Sequence, residues 1–185
     1  MLDSNFFERK EDKMIIGYTT GVYDMFHIGH LNIIKRAKEQ CDFLIVGVST
    51  DDLVRHEKNK TPVIPYEERA AIVGALKYVD QVVPQTDKDK FGAWEKYHFN
   101  KMFVGSDWKG TPQWNKYEEQ FTGKDVEIVY LPHTDGISST LLTGVIKNIL
   151  EEQPEKSRGA GLTKKYFAYL KYYSPKTVVN FKEAA

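Results

Sequence analysis

Short apolar runs alternate with amphipathic stretches along most of the chain, and this alternation predicts strands followed by helices. After the first apolar run, Leu31, Ile34 and Ala37 recur at helical spacing, with charged residues between them forming a solvent-facing side. The predicted strands are Met14–Tyr18, Phe43–Ser49, Val79–Val83, Lys101–Val104 and Val126–Tyr130. The predicted helices are Ile28–Gln40, Tyr66–Leu76, Lys90–His98, Thr111–Phe121 and Ser138–Glu151.

Regular alternation of helices with nearly continuous apolar strands is typical of a parallel sheet covered on both faces. We therefore expect an α/β fold: a Rossmann-like, doubly wound parallel sheet of about five strands with flanking helices and a C-terminal helical tail. Such sheets bind ligands beyond the carboxyl ends of their strands, near the point where the strand order reverses. The polar motifs of this chain directly follow predicted strands, so they are expected at that edge.

Composition limits the partners of the protein. The 185 residues suffice for one domain with its own core, and the 26 basic residues balance the 26 acidic ones. Bulk charge therefore favours neither nucleic acid nor a membrane surface, and anions must be bound by local placement of charge. The single cysteine, Cys41, rules out an internal disulfide. We expect a cytoplasmic protein without a nucleic-acid partner or a stable membrane anchor.

The chain is expected to divide into a flexible N-terminus at residues 1–13, a domain at residues 14–151, and a linker with a basic, aromatic helical tail at residues 152–185. The N-terminus is charged and lacks the apolar stretch of a signal peptide. From Thr163 to Tyr173, lysines alternate with aromatic rings, which suits contact with an anionic membrane or single-stranded nucleic acid. Packing of these rings on the domain or on a partner subunit is the preferred interpretation.

The strongest chemical signal is the segment from Gly21 to His30, which joins the first predicted strand to the first predicted helix. Backbone N–H groups at a helix start are unpaired and attract anions. His27 and His30 add directional donors, and Gly29 lets a phosphate approach the backbone. Paired histidines can also bind metal, but no third ligand follows at a typical zinc spacing. The segment therefore predicts a phosphate site.

Further motifs extend this signal and carry a resemblance to a known family. They are Gly21-Val22-Tyr23-Asp24-Met25-Phe26-His27-Ile28-Gly29-His30, Ser49-Thr50-Asp51 and Gly136-Ile137-Ser138-Ser139-Thr140. These motifs resemble the cytidylyltransferase family of the HIGH-motif nucleotidylyltransferase superfamily, and most of all its bacterial glycerol-3-phosphate cytidylyltransferases. The resemblance covers residues 14–150. It implies an enzyme that joins CTP and a small phosphorylated alcohol, giving a CDP-alcohol and pyrophosphate.

The resemblance also implies the residues of the site. The implied catalytic residues are His27, His30 and Lys60. The residues implied to bind the nucleotide and its phosphates are Val22, Tyr23, Asp24, Gly29, Lys58, Asp107, Trp108, Thr134, Gly136, Ile137, Ser138, Ser139 and Thr140. The phosphate of the acceptor is implied to be bound by Lys60, Arg69 and Lys77. Mg²⁺ is expected on the triphosphate, with Asp24 a candidate ligand directly or through water, and relatives form homodimers.

Several of these residues could have an ordinary structural role instead of a role in ligand binding. Lys58 and Lys60 stand in the Pro-containing loop Glu57–Pro65, where lysines are usually just solvated. Nucleotidyl transfer nevertheless needs positive donors around the reacting phosphates. Trp108 offers a ring face for stacking. The hydroxyls of Ser138 and Thr140 could merely cap the last predicted helix, although the same cap can bind phosphate.

The chain departs from the family pattern at two positions. His133 stands where the family has arginine, and a histidine is largely neutral at pH 7 unless its neighbours raise its pKa. Lys77 stands where the glycerol-phosphate branch has arginine, and lysine cannot make a bidentate fork on phosphate. The strength of triphosphate binding and the identity of the acceptor therefore stay open.

Three alternatives remain. The acceptor could be ethanolamine phosphate, choline phosphate or another polyol phosphate, since Gly21-Val22-Tyr23-Asp24-Met25 resembles the ethanolamine-phosphate branch equally well. The enzyme could be an adenylyltransferase of the same superfamily. In a different class, the chain could be a nucleotide-binding regulator without catalysis. His133 is the local hint of lost function, and His27, His30 and Lys60 speak against it.

Overall fold

A computed structural model describes residues 14–152 of the chain. The predicted N-terminal segment 1–13 and the predicted tail, apart from its first residue, lie outside the described residues. The domain boundaries stay predictions for that reason. No helix within the described range is long and apolar enough to cross a bilayer.

The core of the protein is a five-stranded parallel sheet. Its strands are β1 (Ile16–Gly21), β2 (Phe43–Ser49), β3 (Gln81–Gln85), β4 (Lys101–Gly105) and β5 (Glu127–Leu131). The strand order is β3-β2-β1-β4-β5, and every neighbouring pair is parallel. The order reverses between β1 and β4, so a crevice is expected beyond the carboxyl ends of these two strands. We call this side of the sheet the carboxyl edge.

Within residues 14–152, six helices connect and cover the strands. They are α1 (Ile28–Lys38), α2 (Asp51–Lys58), α3 (Tyr66–Gly74), α4 (Lys90–Tyr97), α5 (Pro112–Phe121) and α6 (Ser139–Glu152), and a short 3₁₀ turn spans Ser106–Trp108. One core cluster, including Ile34, Leu44 and Val73, packs α1 and α3 on one face of the sheet. A second cluster, including Tyr18, Phe99 and Phe121, packs α4 and α5 on the other. The predicted doubly wound α/β fold is confirmed.

The sequence analysis did not predict helix α2 and placed its last two residues in the loop Glu57–Pro65. The helix has only eight residues, and Val54 is its buried position, so it shows no apolar stripe. Its stability comes from its N-terminus instead. The Thr50 hydroxyl accepts a hydrogen bond from Leu53 N at 3.3 Å, and Asp51 and Asp52 face the positive end of the helix dipole.

The boundaries of two strands differ from the prediction by about two residues, an ordinary error for helix and strand ends. The predicted strand Val79–Val83 is observed at Gln81–Gln85. Its first two predicted residues, Val79 and Asp80, precede the observed strand. Val79 N donates to Leu76 O in a turn, and the Asp80 carboxylate accepts from Leu44 N at 2.7 Å. Pro84 fits within β3 because β3 is an edge strand, where one side of the backbone needs no partner.

Gly17 lies in the middle of the sheet where no side chain fits. A Cβ atom there would lie 2.6 Å from Cys41 Sγ and 2.8 Å from Phe103 Cε2. We expect Gly17→Ala to lower the free energy of unfolding by about 1–3 kcal/mol, measured by urea denaturation. Gly144→Ala is the control, since nothing lies within 4 Å of its Cβ position in α6 and alanine favours a helix. Equal stability of the two variants would contradict this account of the core.

Candidate active site

His27 caps the first helix at the carboxyl edge. Its backbone is extended, and its Nδ1 accepts a hydrogen bond from Gly29 N at 3.1 Å. Because Nδ1 is an acceptor here, the proton of the neutral ring belongs on Nε2. The side chain therefore has two functions. It satisfies an unpaired N–H at the start of α1, and it keeps a second N–H as a donor for a ligand.

His30 lies against His27, with ring centroids 3.9 Å apart and planes inclined by 24°. Burial and the nearby His27 lower the pKa of His30 to about 4, although Asp24 acts in the opposite direction. The pKa of His27 is also lowered, by burial and by His133. Both rings are therefore neutral at pH 7 and act on an anion as hydrogen-bond donors. The buried Nδ1 atom of His30 has no hydrogen-bond partner among the described residues.

The backbone before the histidines is strained. Tyr23 and Met25 have φ angles of 55° and 45°, a left-handed conformation that costs side chains about 1–3 kcal/mol each. Packing holds this turn in place: Tyr23 is 4% exposed, and its ring meets His30 edge-on at 5.3 Å. Strain of this kind is found where a site must be held in one geometry.

Asp24 connects this turn to the loop that carries the predicted lysines. Its two carboxylate oxygens accept hydrogen bonds from Val63 N and Ile64 N, each at 2.9 Å. Lys58 is the last residue of α2, and Lys60 follows on the exposed loop. Partial burial and repulsion from Lys60 and Lys88 lower the pKa of Lys58. The Asp24 carboxylate thus attaches the lysine loop to the histidine segment.

Arg69 lies behind the site, with a side chain that is 0% exposed. Its guanidinium donates to Ile64 O at 2.8 Å, to Val22 O, and to Asp51 Oδ1 at 2.6 Å. The resemblance assigned Arg69 to the phosphate of the acceptor, but in the structure its donors point at protein groups. Its observed contacts are those of a residue that positions the loops after β1 and β2.

The start of α6 meets the start of α1. Ser138 Oγ caps α6 by accepting from Leu141 N at 3.1 Å, and Ser139 Oγ donates to Asp24 O at 2.9 Å. Thr134 Oγ1 accepts from Asn32 Nδ2 of α1 at 3.1 Å. Two helix N-termini, each able to attract an anion, are therefore joined across the crevice.

The remaining residues of this motif complete the turn into α6. Gly136 has a φ angle of 80°, which glycine adopts without strain. Ile137 Cγ2 lies 3.7 Å from the Cβ position of Gly29, so the two motifs are in direct contact. Thr140 is exposed in the first turn of the helix.

Asp107 and Trp108 lie on the 3₁₀ turn after β4. The carboxylate of Asp107 lies 3.2 Å from His133 Nδ1, so the end of β4 is paired with the segment after β5. Trp108 is 49% exposed and borders a cavity of about 300 Å³. His133 therefore keeps one interaction with an acidic partner at the position where the family has arginine.

This cavity gathers several predicted residues and several that the sequence reasoning missed. Val22, Lys58 and Trp108 line it from the predicted set. Lys88, Lys90 and two rings of α5 line it as well. The only sequence feature at Lys90 is its place in the first turn of α4, five residues after the end of β3. Most lysines at such positions are solvated, so the sequence offered no reason to select it.

Lys77 is not brought to the carboxyl edge. It lies between α3 and β3, at the opposite edge of the sheet, where its Nζ lies 5.2 Å from the ring centroid of Tyr78. Within a single chain it is therefore separated from the other predicted site residues.

Metal ligands are sparse in this region. No group of three histidine, cysteine or acidic side chains in residues 14–152 could hold a metal ion. Mg²⁺ does not require such a group, because it is commonly bound by one or two carboxylates together with substrate phosphates. The Asp24 oxygens keep lone pairs beyond their bonds to Val63 and Ile64. The site fits a magnesium ion carried mainly by a ligand.

The arrangement of two helix N-termini, paired histidines and a parallel sheet agrees with sequence comparison. The model of the cytidylyltransferase-like family matches residues 18–145, most of the chain. The chain belongs to the cytidylyltransferase-like family. It is a nucleotidyltransferase.

Relatives show how broad this family is. Glycerol-3-phosphate cytidylyltransferase of Bacillus spizizenii is 37% identical over 69% of this chain and 92% of its own length. FAD synthase of Thermococcus onnurineus is 30% identical over 78% of this chain and 97% of its own. The crystal structure of a lipopolysaccharide core biosynthesis protein from Thermoplasma volcanium has a TM-score of 0.58 and 28% identity, covering 66% of this chain and 99% of its own.

Removing the Arg69 side chain should destabilise the protein. Arg69→Met removes the side-chain donor of Asp51 Oδ1 and of the Val22 and Ile64 carbonyls, and we expect a loss of about 3 kcal/mol in the free energy of unfolding. Arg55→Met is the control, since Arg55 makes an exposed pair with Asp52. Urea denaturation measures both. Near-equal midpoints would exclude the positioning role of Arg69.

The lowered pKa of His30 predicts a pH-dependent stability. Between pH 6.5 and about 4 the unfolded chain binds a proton at His30 that the folded protein does not. Stability should therefore fall as the pH falls through this window, and this contribution should be absent from His30→Gln. Urea midpoints at several pH values test the difference, with the exposed His56→Gln as control. Parallel profiles of wild type and His30→Gln would contradict the burial of a neutral ring.

Proposed function

We propose that the protein joins CTP and a small phosphorylated alcohol, with glycerol 3-phosphate the best candidate, to give a CDP-alcohol and pyrophosphate. An oxygen of the acceptor's phosphate attacks the α-phosphorus of CTP, and the bond from this phosphorus to the bridging oxygen breaks. The electron pair leaves with pyrophosphate, so no covalent enzyme intermediate forms. Catalysis then consists of positioning and of stabilising the charge on the phosphates.

The observation that carries the proposal is the neutral pair His27 and His30 at the joined starts of α1 and α6. Nε2 of His27 donates to the phosphates, and the neutral ring of His30, stacked on His27, adds a second donor. The Ser138-to-Thr140 turn holds the β- and γ-phosphates at the N-terminus of α6. Lys60, with Lys58, neutralises the charge that spreads over the triphosphate.

Asp24 would hold Mg²⁺ directly or through water, with the triphosphate supplying the other oxygens. The ion supplies positive charge to the phosphate oxygens when it is bound. Asp24 itself keeps the lysine loop against the histidine segment through Val63 and Ile64. The homodimer implied by resemblance stays a prediction.

The comparisons favour cytidylyl transfer to glycerol 3-phosphate without excluding other members of the superfamily. The Bacillus spizizenii relative carries the cytidylyltransferase name, whereas the Thermococcus onnurineus relative is an FAD synthase at 30% identity. Both the nucleotide and the acceptor therefore need a direct test.

Pyrophosphate release with Mg²⁺ provides this test. CTP, ATP, GTP and UTP are crossed against sn-glycerol 3-phosphate, ethanolamine phosphate, choline phosphate, ribitol 5-phosphate and phosphopantetheine. We expect turnover with CTP and one polyol phosphate. Turnover with ATP alone would establish an adenylyltransferase instead. Binding of CTP without pyrophosphate release from any acceptor would favour the non-catalytic regulator, and His133→Arg would then show whether the missing arginine is the cause.

Two variants test the site during turnover. His30→Ala and Lys60→Ala should each lower kcat/KM by about 10²-fold, because each removes a donor from charge that develops in the transition state. His56→Ala is the matched control, since His56 is an exposed histidine of α2. Activities of both site variants within about threefold of wild type would show that the site has been misassigned.

A further inference from the structure

The register of the sheet brings His133 to an acidic partner at the carboxyl edge. Strands β4 and β5 are parallel, and Gly105 is paired with Leu131 at their carboxyl ends. Asp107 and His133 each follow two residues later, so the two side chains leave the sheet next to each other. Nδ1 of His133 lies 3.2 Å from Oδ2 of Asp107. The pair therefore follows from the strand pairing and not only from the orientation of two exposed side chains.

Helix α1 holds the backbone on both sides of His133. Arg36 donates to Pro132 O at 2.8 Å, and Asn32 donates to Thr134 Oγ1 at 3.1 Å. These two hydrogen bonds tie the residue before His133 and the residue after it to the same helix. The imidazole is therefore presented from a segment with a fixed position, at the side of the helix whose start binds the proposed phosphates.

The charges around His133 come from three sides. His27 is near enough for His133 to contribute to its lowered pKa, after the larger effect of burial. Arg36 of α1 adds positive charge, whereas Asp107 on the 3₁₀ turn and Asp135 in the same segment add negative charge. The first turn of α6 carries no charged side chain, and the N-termini of α1 and α6 are weakly positive. The phosphates of a bound nucleotide would add a large negative charge to this balance.

The two histidines that border the site present opposite nitrogens. Nδ1 of His27 accepts from Gly29 N, so the neutral ring keeps its proton on Nε2 and can donate to a phosphate. Nδ1 of His133 faces a carboxylate, which only accepts, and this contact favours a proton on Nδ1. A neutral ring with that proton has a lone pair on Nε2, which repels a phosphate oxygen. His133 can therefore bind an anion through Nε2 only as the imidazolium ion.

We propose that His133 binds the nucleotide's phosphates only in its protonated form, so that nucleotide binding takes up a proton from solvent and weakens as the pH rises. This inference rests on the proposed function and adds a dependence on pH to it. The added proton lies on Nε2 and faces the phosphates, while the Nδ1 proton faces Asp107. The proton returns to solvent when pyrophosphate leaves.

This property would distinguish the chain from relatives with arginine at the position of His133. Arginine keeps its charge at every pH at which the protein is folded, so it binds phosphate without taking up a proton. Histidine gains or loses its charge between about pH 5 and 8. The exchange of one residue type for the other therefore converts a constant charge at the edge of the site into one that responds to pH.

Calorimetric titration measures the proton directly. CTP with Mg²⁺, and separately pyrophosphate with Mg²⁺, is titrated into the full chain between about pH 6 and 8, in two buffers of different ionisation enthalpy at each pH. The difference in heat between the buffers gives the number of protons taken up. The variants are His133→Arg and His133→Gln. His56→Arg is the matched control, because His56 is an exposed histidine of α2.

Protons exchanged by the ligand itself are common to all of these proteins and cancel in the comparison. Above pH 7, wild type and His56→Arg should take up as much as about one proton more than His133→Arg. Between pH 6 and 8, the affinity of wild type should fall by about tenfold more than that of His133→Arg. His133→Gln should bind weakly at both pH values, without the extra proton. Thermal midpoints should stay within a few degrees of wild type, because an exposed ion pair contributes little to stability.

Asp107→Asn tests the partner. Removing the carboxylate should move the loss of affinity to lower pH, because the imidazolium ion loses its negative neighbour. An unchanged pH profile in Asp107→Asn would contradict the role of the pair. Equal proton uptake by wild type and His133→Arg, or a wild-type pH profile in His133→Gln, would overturn the proposal as a whole.

The two ligands separate failure of this proposal from failure of the proposed function. Binding of pyrophosphate without binding of CTP would refute the proposed function, and the pyrophosphate titrations would still decide the role of His133 by the same comparison. Binding of CTP with equal pH profiles in wild type and His133→Arg would refute the role of His133 alone. Absence of binding of either ligand at every pH would overturn both.

Discussion

The buried contacts of Arg69 are the interaction on which the rest of the site depends. One guanidinium group joins the backbone after β1, the loop before α3 and the carboxylate that begins α2. Parallel strands leave their carboxyl ends open, and the loops that follow them have few contacts of their own. A charge that is fully enclosed must keep all of its partners, so these loops are held in one relative position. The strained turn at Tyr23 and Met25 persists because its surroundings are fixed in this way.

The site combines neutral hydrogen-bond donors with positively charged lysines. Burial lowers the pKa of both His27 and His30, helped by His133 at His27 and by His27 at His30, so the two rings offer N–H groups without adding charge. Positive charge is supplied instead by lysines around the edge and by two helix N-termini. Protein anions near these groups are already engaged, as Asp24 is with backbone N–H groups and Glu57 is with Lys88. The site is therefore prepared for the charge of a ligand.

Much of the fold could be predicted because its signals are local. Apolar strands and amphipathic helices are read from neighbouring residues, and the strand Phe43–Ser49 was predicted at its observed boundaries. Helix α2 was missed because a short, polar helix held by Thr50 and its first-turn carboxylates has no hydrophobic period to detect. The contact between the starts of α1 and α6 agrees with the expectation from sequence that the polar motifs meet at one edge, because both motifs lie in segments that follow strands of one parallel sheet.

The sequence by itself determined the family, the parallel sheet and the edge at which the motifs meet, because residue spacing and strand direction are sufficient for these. Only the tertiary structure decided which way each long side chain turns. It enclosed Arg69 among protein acceptors, left Lys77 at the opposite edge and directed Lys90 into a cavity. An arginine or lysine can be solvated, paired or bound to a ligand in the same sequence context. Its role depends on burial and on the charges that distant segments bring near it, which only the folded chain defines.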